Sequence, residues 1–321
     1  MGIPRIAIFT GDPAGIGPEL VVKLLADTER CGRANIVLIG QKKTFSTPTS
    51  VKWHEWPGLH ADEFETAKAQ ASNGQFMLEG LAQGAQLASS GEVDAFCFAP
   101  LNKGALRLGG MHQEDELRWF AENLHHSGVC GELNVLDDLW TARVTSHVPL
   151  RQVSALLSPE KVAQAIAMLH HALRASGLVA PRIAVCGLNP HNGDNGNYGD
   201  EEARVIGPGV QLAAQSGCVA DGPFPADTTF VRAIRKPDGY DGVVTMYHDQ
   251  GQIAMKLMGF ERGVTVHGGL PIHITTPAHG TAYDIAGKGV AHPGAMFNAF
   301  DLACRLGQHR MSSQLRAIMN T

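Results

Sequence analysis

Arg5-Ile6-Ala7-Ile8-Phe9-Thr10-Gly11-Asp12-Pro13-Ala14-Gly15-Ile16-Gly17-Pro18-Glu19 decides the fold. Its first five residues are mostly apolar and predict a buried strand. A glycine-rich turn follows. Pro18 then opens a helix running to Leu25, because the N–H that proline lacks has no partner in a first helical turn anyway. The unit recurs along the chain. Strands are predicted at Ile36–Gly40, Asp94–Ala99, Thr141–Thr145, Ile183–Gly187 and Val243–Met246, and helices at Phe76–Ala88 and Glu114–His126. Ser158-Pro159-Glu160 opens a further helix, with Ser158 as N-cap and Val162, Ile166 and Leu169 on one face. Residues 44–65, rich in His, Trp and Pro, are expected to be irregular. Apolar strands alternating with amphipathic helices predict an α/β fold with a mainly parallel sheet.

Composition narrows the function classes. The 321 residues, 44% of them hydrophobic, can bury two cores as readily as one. A net charge of −5 without clustered Lys and Arg argues against a nucleic-acid surface. There is no apolar run long enough for a membrane span, and Met1–Arg5 leads straight into the first strand without the pattern of a signal peptide. The six cysteines are scattered and form no CxxC pair, which suits reduced thiols in a cytoplasmic protein. A break at Gly128–Gly131 suggests a lobe boundary there.

Three histidines each follow the carboxyl end of an apolar strand: His147, His191 and His248. That edge of an open α/β sheet is where ligands bind. Three converging imidazoles would hold one divalent cation and leave a position open for substrate. Their separations fit no local metal motif, so they also read as ordinary histidines among 15. Asp249 beside His248 is either an orienting partner for the imidazole or a helix N-cap.

Two glycine-rich segments could meet a nucleotide. In the first turn, Gly11 and Asp12 precede a helix N-terminus, where backbone N–H groups can face a ligand. The spacing of Gly11, Gly15 and Gly17 is not that of a dinucleotide fingerprint, and a plain tight turn fits as well. The second segment is His279-Gly280-Thr281-Ala282-Tyr283-Asp284-Ile285-Ala286-Gly287-Lys288-Gly289. Its carboxylate could bond ribose hydroxyls; the alternative is a surface loop before the last helix.

Several blocks now converge: GDPAGIGPE at 11–19, PLNK at 100–103, SHVPLR at 146–151, GLNPHNGDNG at 187–196, ADT at 226–228, YHDQG at 247–251 and HGTAYDIAGKG at 279–289. With them the chain resembles the 4-hydroxythreonine-4-phosphate dehydrogenase family of the vitamin B6 pathway and its paralogues, among them terephthalate dihydrodiol dehydrogenase. The first and last blocks are similar to the broader isocitrate and isopropylmalate dehydrogenase group. The resemblance implies that group's two-lobed α/β fold with an interlobe active site, and a homodimer. It implies one lobe from residues 1–128 with 277–321, carrying the NAD loop, and a second from 129–276, carrying the metal ligands and dimer contacts. His147, His191 and His248 fall on the family's metal ligands, with zinc expected and Mg, Mn or Co as alternatives. Lys256 falls on its substrate-binding lysine. His279, Gly280, Thr281, Asp284 and Ile285 fall in its NAD loop. Relatives using NADP carry a Lys-Tyr pair where Asp284-Ile285 stands, so NAD is expected.

The implied reaction is oxidation of a secondary alcohol β to a carboxylate, with hydride passing to NAD and loss of CO₂. Lys256, Asp249 and Lys103 are the candidates for proton transfer or anion contact. Three departures bear on substrate. Gln113-Glu114-Asp115-Glu116 replaces the family's Gly-His-Thr-Glu, Ile274 stands in place of an arginine, and Thr265 in place of an asparagine. Glu114, Asp115, Thr265 and Ile274 are therefore expected at the substrate, and the changes point to a weakened phosphate handle. Lys256, Arg262 or His273 could restore a cation there. The alternatives are the same chemistry on an unphosphorylated diol acid, such as a terephthalate-type cis-dihydrodiol, or a non-catalytic paralogue that binds metal or nucleotide.

Overall fold

The computed structural model describes residues 2–42, 51–56, 64–235 and 237–319, with side chains as far as Ser312. Its strands are β1 (Arg5–Phe9), β2 (Asn35–Ile39), β3 (Lys52–His54), β4 (Ala95–Phe98), β5 (Gly131–Leu136), β6 (Leu139–Arg143), β7 (Ile183–Cys186), β8 (Asp221–Phe224), β9 (Gly242–Thr245), β10 (Val264–Gly268) and β11 (Ile274–Pro277). The chain divides into two compact units, Met1–Gly128 with Val264–Thr321, and Val129–Gly263.

In the first unit the strands run β3-β2-β1-β4-β11-β10. All pair in parallel except β10, which is antiparallel to β11. Ile6, Ala7, Ile8 and Phe9 are fully buried, as a continuous apolar run requires when both sheet faces are covered. The helix Ala71–Ser89 buries Phe76, whose ring centroid lies 5.7 Å from that of Phe9. The helix Gly294–Met319 is tied to the sheet by Thr275, whose hydroxyl donates to the Ala299 carbonyl at 2.9 Å.

In the second unit the order is β5-β6-β9-β7-β8. β5 and β6 form an antiparallel hairpin, and the remaining neighbours are parallel. The helix Pro159–Ala175 begins as its sequence predicts, with the Ser158 hydroxyl accepting the Lys161 N–H. Its Val162, Ile166 and Leu169 are fully buried.

The structure departs from expectation at particular places. Lys52–His54 is a strand beside β2, within a stretch expected to be irregular; most of the rest of 44–65 lies outside the described residues. The pair β10–β11 had no clear signal, since Val264-Thr265-Val266-His267 is short and part polar. It also moves the second boundary. Residues 264–276 group with the first unit rather than the second, because Ile274 pairs with Phe96 of β4 and is fully buried there. All six cysteines are free thiols. Among the described residues no helix is long and apolar enough to cross a membrane.

Candidate active site

β6, β9 and β7 lie side by side and parallel, with Arg143 opposite Thr245 and Val185 opposite Val244. Their carboxyl ends therefore share one edge. His147 follows β6, His248 follows β9 and His191 follows β7. The first two strand ends are fastened together: the Thr145 N–H and hydroxyl both donate to the Met246 carbonyl, at 3.1 and 2.8 Å. This brings the His147 and His248 ring centroids to 5.6 Å. Zinc at ~2.0–2.1 Å from each ring nitrogen would set ring centres about 5 Å apart, close to the separation seen here. His191 does not yet join them: no described group of three ligand atoms within 4.8 Å contains all three histidines.

His191 sits in an unusual loop. His191, Asn192, Gly193, Asp194 and Asn195 all have positive φ, between 42 and 81°. Left-handed backbone costs a non-glycine residue roughly 1–2 kcal/mol. Such strain persists only where neighbours over-determine it, and it gathers at functional sites. The restraint here is Glu202, nearly buried at 6% exposure. One of its oxygens accepts the N–H groups of Leu188 and Asn189, both at 2.7 Å. The Asn189 amide donates to Glu202 and Glu201 at 2.9 and 2.7 Å. Gln250 links this loop to the β9 end, accepting from the Met246 N–H at 2.7 Å and donating to the Gly187 carbonyl at 2.9 Å. Sequence reasoning missed Glu202, Asn189 and Gln250 as positioning residues. Asn189 and Gln250 lie within the 187–196 and 247–251 blocks, a signal that could have found them; Glu202 lies outside both.

His248 opens the helix His248–Gly259, and its Nδ1 lies 2.7 Å from the Asp249 carboxylate. Asp249 is thus in the first helical turn rather than the N-cap, which is Tyr247. With the proton on Nδ1, this bond leaves Nε2 available as a ligand. Lys256 is exposed on the same helix, its ammonium 6.0 Å from the Phe260 ring centre.

In the first unit the two glycine-rich segments pack on each other. Gly11 has φ +74°, and a Cβ there would stand 2.4 Å from the Ala99 carbonyl oxygen, so no larger residue fits. The Ile16 N–H donates to the Thr281 carbonyl at 3.1 Å. The Tyr283 hydroxyl donates to Asp12 at 2.6 Å, and the Ala14 N–H to the other Asp12 oxygen at 3.0 Å. Asp12 is fully buried, and burial pushes its carboxyl above the usual range despite the bonds from Tyr283, Ala14 and Asn73. Burial and Asp12 also push the Tyr283 phenol up. Asp12 therefore latches the loop and presents nothing to a ligand, contrary to its expected direct contact with cofactor. Glu19 and Lys23, not singled out from the sequence, close the far end. Glu19 accepts from the Ala291 N–H at 2.7 Å, and Lys23 donates to Glu19, Gly289 and Ala291. Asn102, the N-cap of the helix Lys103–Leu108, reaches Thr281 at 3.4 Å, and Lys103 beside it is exposed. His279 bonds the Gly280 carbonyl at 3.0 Å, and Gly280 is open. Asp284 is exposed and Ile285 half-buried; the Asp284 carbonyl accepts from Lys288 at 2.7 Å.

Two residues expected at the substrate also hold the chain together. Ile274 is fully buried in the core around Phe96, so its apolar character reflects packing. Asp115, 6% exposed, is the N-cap of the helix Glu116–Asn123 and accepts the Arg118 N–H at 2.8 Å. Glu114 is exposed, and Thr265 sits on β10 opposite Thr276. Of the other cations considered, Arg262 bonds Asp137 and the Met258 carbonyl. Burial, with Arg310 and His309 nearby, holds His273 down at about 4, so it is uncharged at neutral pH.

Comparison with known proteins gives this arrangement its context. A Pseudomonas aeruginosa protein provisionally named 4-hydroxythreonine-4-phosphate dehydrogenase 2 is 52% identical, over 96% of this chain and 98% of its own length. The D-threonate 4-phosphate dehydrogenase of Salmonella typhimurium is 37% identical, over 95% of this chain and all of its own. Among solved structures, the 4-hydroxythreonine-4-phosphate dehydrogenase of Klebsiella pneumoniae superposes with a TM-score of 0.82 at 32% identity, covering 95% of this chain and 98% of that one. A terephthalate 1,2-cis-dihydrodiol dehydrogenase from Burkholderia xenovorans gives 0.69 at 25% identity, covering 94% and 98%. A β-decarboxylating dehydrogenase from Thermococcus kodakarensis, at 0.54 and 16% identity over 95% and 84%, shares the fold alone. The family described as "Pyridoxal phosphate biosynthetic protein PdxA" matches residues 19–303. On that match and these identities, the chain belongs to the PdxA family of dehydrogenases.

Proposed function

We propose that this chain is an NAD- and divalent-metal-dependent dehydrogenase that oxidises the secondary alcohol of a phosphorylated hydroxy acid and promotes loss of CO₂ from the product. The observation that carries the reading is the placement of His147, His248 and His191 behind three neighbouring parallel strands, in a family whose relatives are named for 4-hydroxythreonine 4-phosphate and D-threonate 4-phosphate. Three imidazole donors suit a borderline ion such as zinc. A cation held there would supply Lewis-acid polarisation of the substrate hydroxyl, and bound NAD would accept the hydride.

The chain's own residues do the rest. Asp249 fixes the His248 ring, so it is a positioning residue in this reading rather than the proton acceptor. Glu202 and Gln250 set the loop that carries His191. Lys256, exposed eight residues beyond His248, is the cation best placed to meet a substrate anion, since Arg262 is engaged and His273 is uncharged. Oxidation at the carbon β to a carboxylate yields a β-keto acid, from which CO₂ leaves readily. The packed segments 11–17 and 279–289 form the cofactor surface. There Asp284 disfavours a 2′-phosphate, and the neighbouring Lys288 tempers that preference.

The second reading is the same chemistry on an unphosphorylated diol acid, favoured by Ile274 in place of an arginine and by the acidic run Glu114–Glu116; the names of the relatives favour the phosphorylated one. The test is NADH formation with 4-hydroxythreonine 4-phosphate, D-threonate 4-phosphate and a carboxylated cis-dihydrodiol, before and after chelation. Turnover of a phosphorylated compound that is lost on chelation is expected. Turnover of the dihydrodiol alone, or full activity without metal, overturns the reading.

A further inference from the structure

We propose that His170, His171 and Cys218 form a second, separate site for a soft or borderline divalent cation, zinc foremost, within the unit Val129–Gly263. The histidines lie in the last two turns of the helix Pro159–Ala175, and Cys218 follows the helix Gly207–Gln215. Each residue offers one ligand atom, and the three atoms all lie within 4.8 Å of one another. Zinc at about 2.0–2.3 Å would draw them to about 3.3–3.8 Å, a change that side-chain rotation supplies. The two rings already stand close, centroids 5.7 Å apart and inclined at 72°.

Three independent features point to a ligand. First, Cys218 is held in place by its backbone. Its N–H donates to the Ala213 carbonyl at 3.0 Å, the Gly217 N–H donates to Ala214 at 2.9 Å, and Gly217 has φ +79°. This is the glycine helix stop in which the residue after the glycine is fixed against the last turn. Cys218 is 2% exposed, and its thiol makes a long 3.9 Å bond to the Ser216 carbonyl, a weak hold that is easily exchanged. Second, His170 Nδ1 is sealed from solvent without a hydrogen-bond partner. Buried polar atoms of this kind are uncommon and mark places where a polar or ionic partner is expected. Third, His171 is exposed, which leaves an entry path and room for water as fourth ligand.

The helices joined by such a site already pack tightly: a Cβ on Gly209 would stand 2.6 Å from Val162. The cation would staple them. Binding replaces the thiol proton with a metal–sulfur bond, releases that proton to solvent and involves no electron transfer. A thiolate selects against Mg²⁺ and Ca²⁺. The site shares no residue with His147, His191 and His248, and only this one contains sulfur.

The sulfur supplies the test. The intact, reduced protein at mildly alkaline pH is titrated with Co²⁺ and then with Zn²⁺. A cysteinate-to-cobalt band in the near ultraviolet is expected to saturate and to be bleached by zinc. It should vanish in Cys218→Ser, while dehydrogenase activity stays unchanged. His171→Gln, an exposed change that keeps the fold if Cys218→Ser does not, should weaken cobalt binding at least tenfold. Absence of the band in the parent protein, or its survival in Cys218→Ser, overturns the proposal.

Discussion

The two glycine-rich segments of the first unit and the three strand ends of the second reach order by different means. Segments 11–17 and 279–289 hold each other directly, through a buried carboxylate, a phenol and backbone bonds. The strand ends carrying His147, His248 and His191 are aligned by sheet pairing, but their finer placement depends on Glu202, Asn189, Gln250 and Asp249, none of which needs to touch substrate. A motif in the first unit is thus its own scaffold, whereas in the second the chemistry and its supports are different residues. Variants in the first should therefore couple cofactor affinity to stability. Variants in the second should separate metal affinity from stability.

The largest effect is expected from His191→Ala. In the proposed reading His191 helps hold a Lewis acid, and losing such a ligand forfeits several kcal/mol, so kcat/KM should fall about 10³-fold. Metal content should drop while the melting temperature of the metal-free protein stays put; an unchanged metal content would break the contrast.

Next comes acid sensitivity in the first unit. His273 lies at about 4 because burial, with Arg310 and His309, disfavours its charged form. Between that value and the ordinary 6.5 the unfolded chain binds the extra proton. Stability is therefore lost as pH falls through this window, by up to about 3 kcal/mol. His273→Gln should flatten a plot of denaturant-derived stability against pH over that range. An unaltered slope would show that other groups carry it.

Tyr283→Phe removes the hydroxyl from Asp12 and should cost about 1.5–3 kcal/mol, the range for a bond to a charged group. A raised KM for NAD with metal affinity intact would sharpen the comparison; a raised KM with full stability would blur it. Asp249→Asn should be the mildest, lowering metal affinity about 10–100-fold, as loss of a ligand's hydrogen-bond partner does. Equilibrium dialysis reads this directly, and a melting temperature of the metal-free protein equal to that of the parent is expected.

The α/β class, most strand positions and the place of three histidines after strands were legible because each rests on local pattern: an apolar run, a Ser-Pro helix start, an imidazole just past a strand. What distance along the chain hides was not legible. Ile274 looked like a substrate position and is sheet core, and nothing local announced that Asp115 caps a helix. Asp12 looked like a ligand contact and is a buried latch. Glu202 opens the short π-helix Glu202–Ile206, and only folding shows that its carboxylate collects the N–H groups of a loop thirteen residues away.

The sequence by itself thus determined the alternation of strands and helices, the residue types available for chemistry and the family to which the chain belongs. These depend on composition, periodicity and short motifs. Tertiary structure alone decided the neighbour order β6-β9-β7, the packing of residues 11–17 against 279–289, and which polar side chains are spent on holding the chain. Those outcomes depend on which remote groups burial forces to satisfy one another, and a buried donor or acceptor takes its partner from space rather than from sequence.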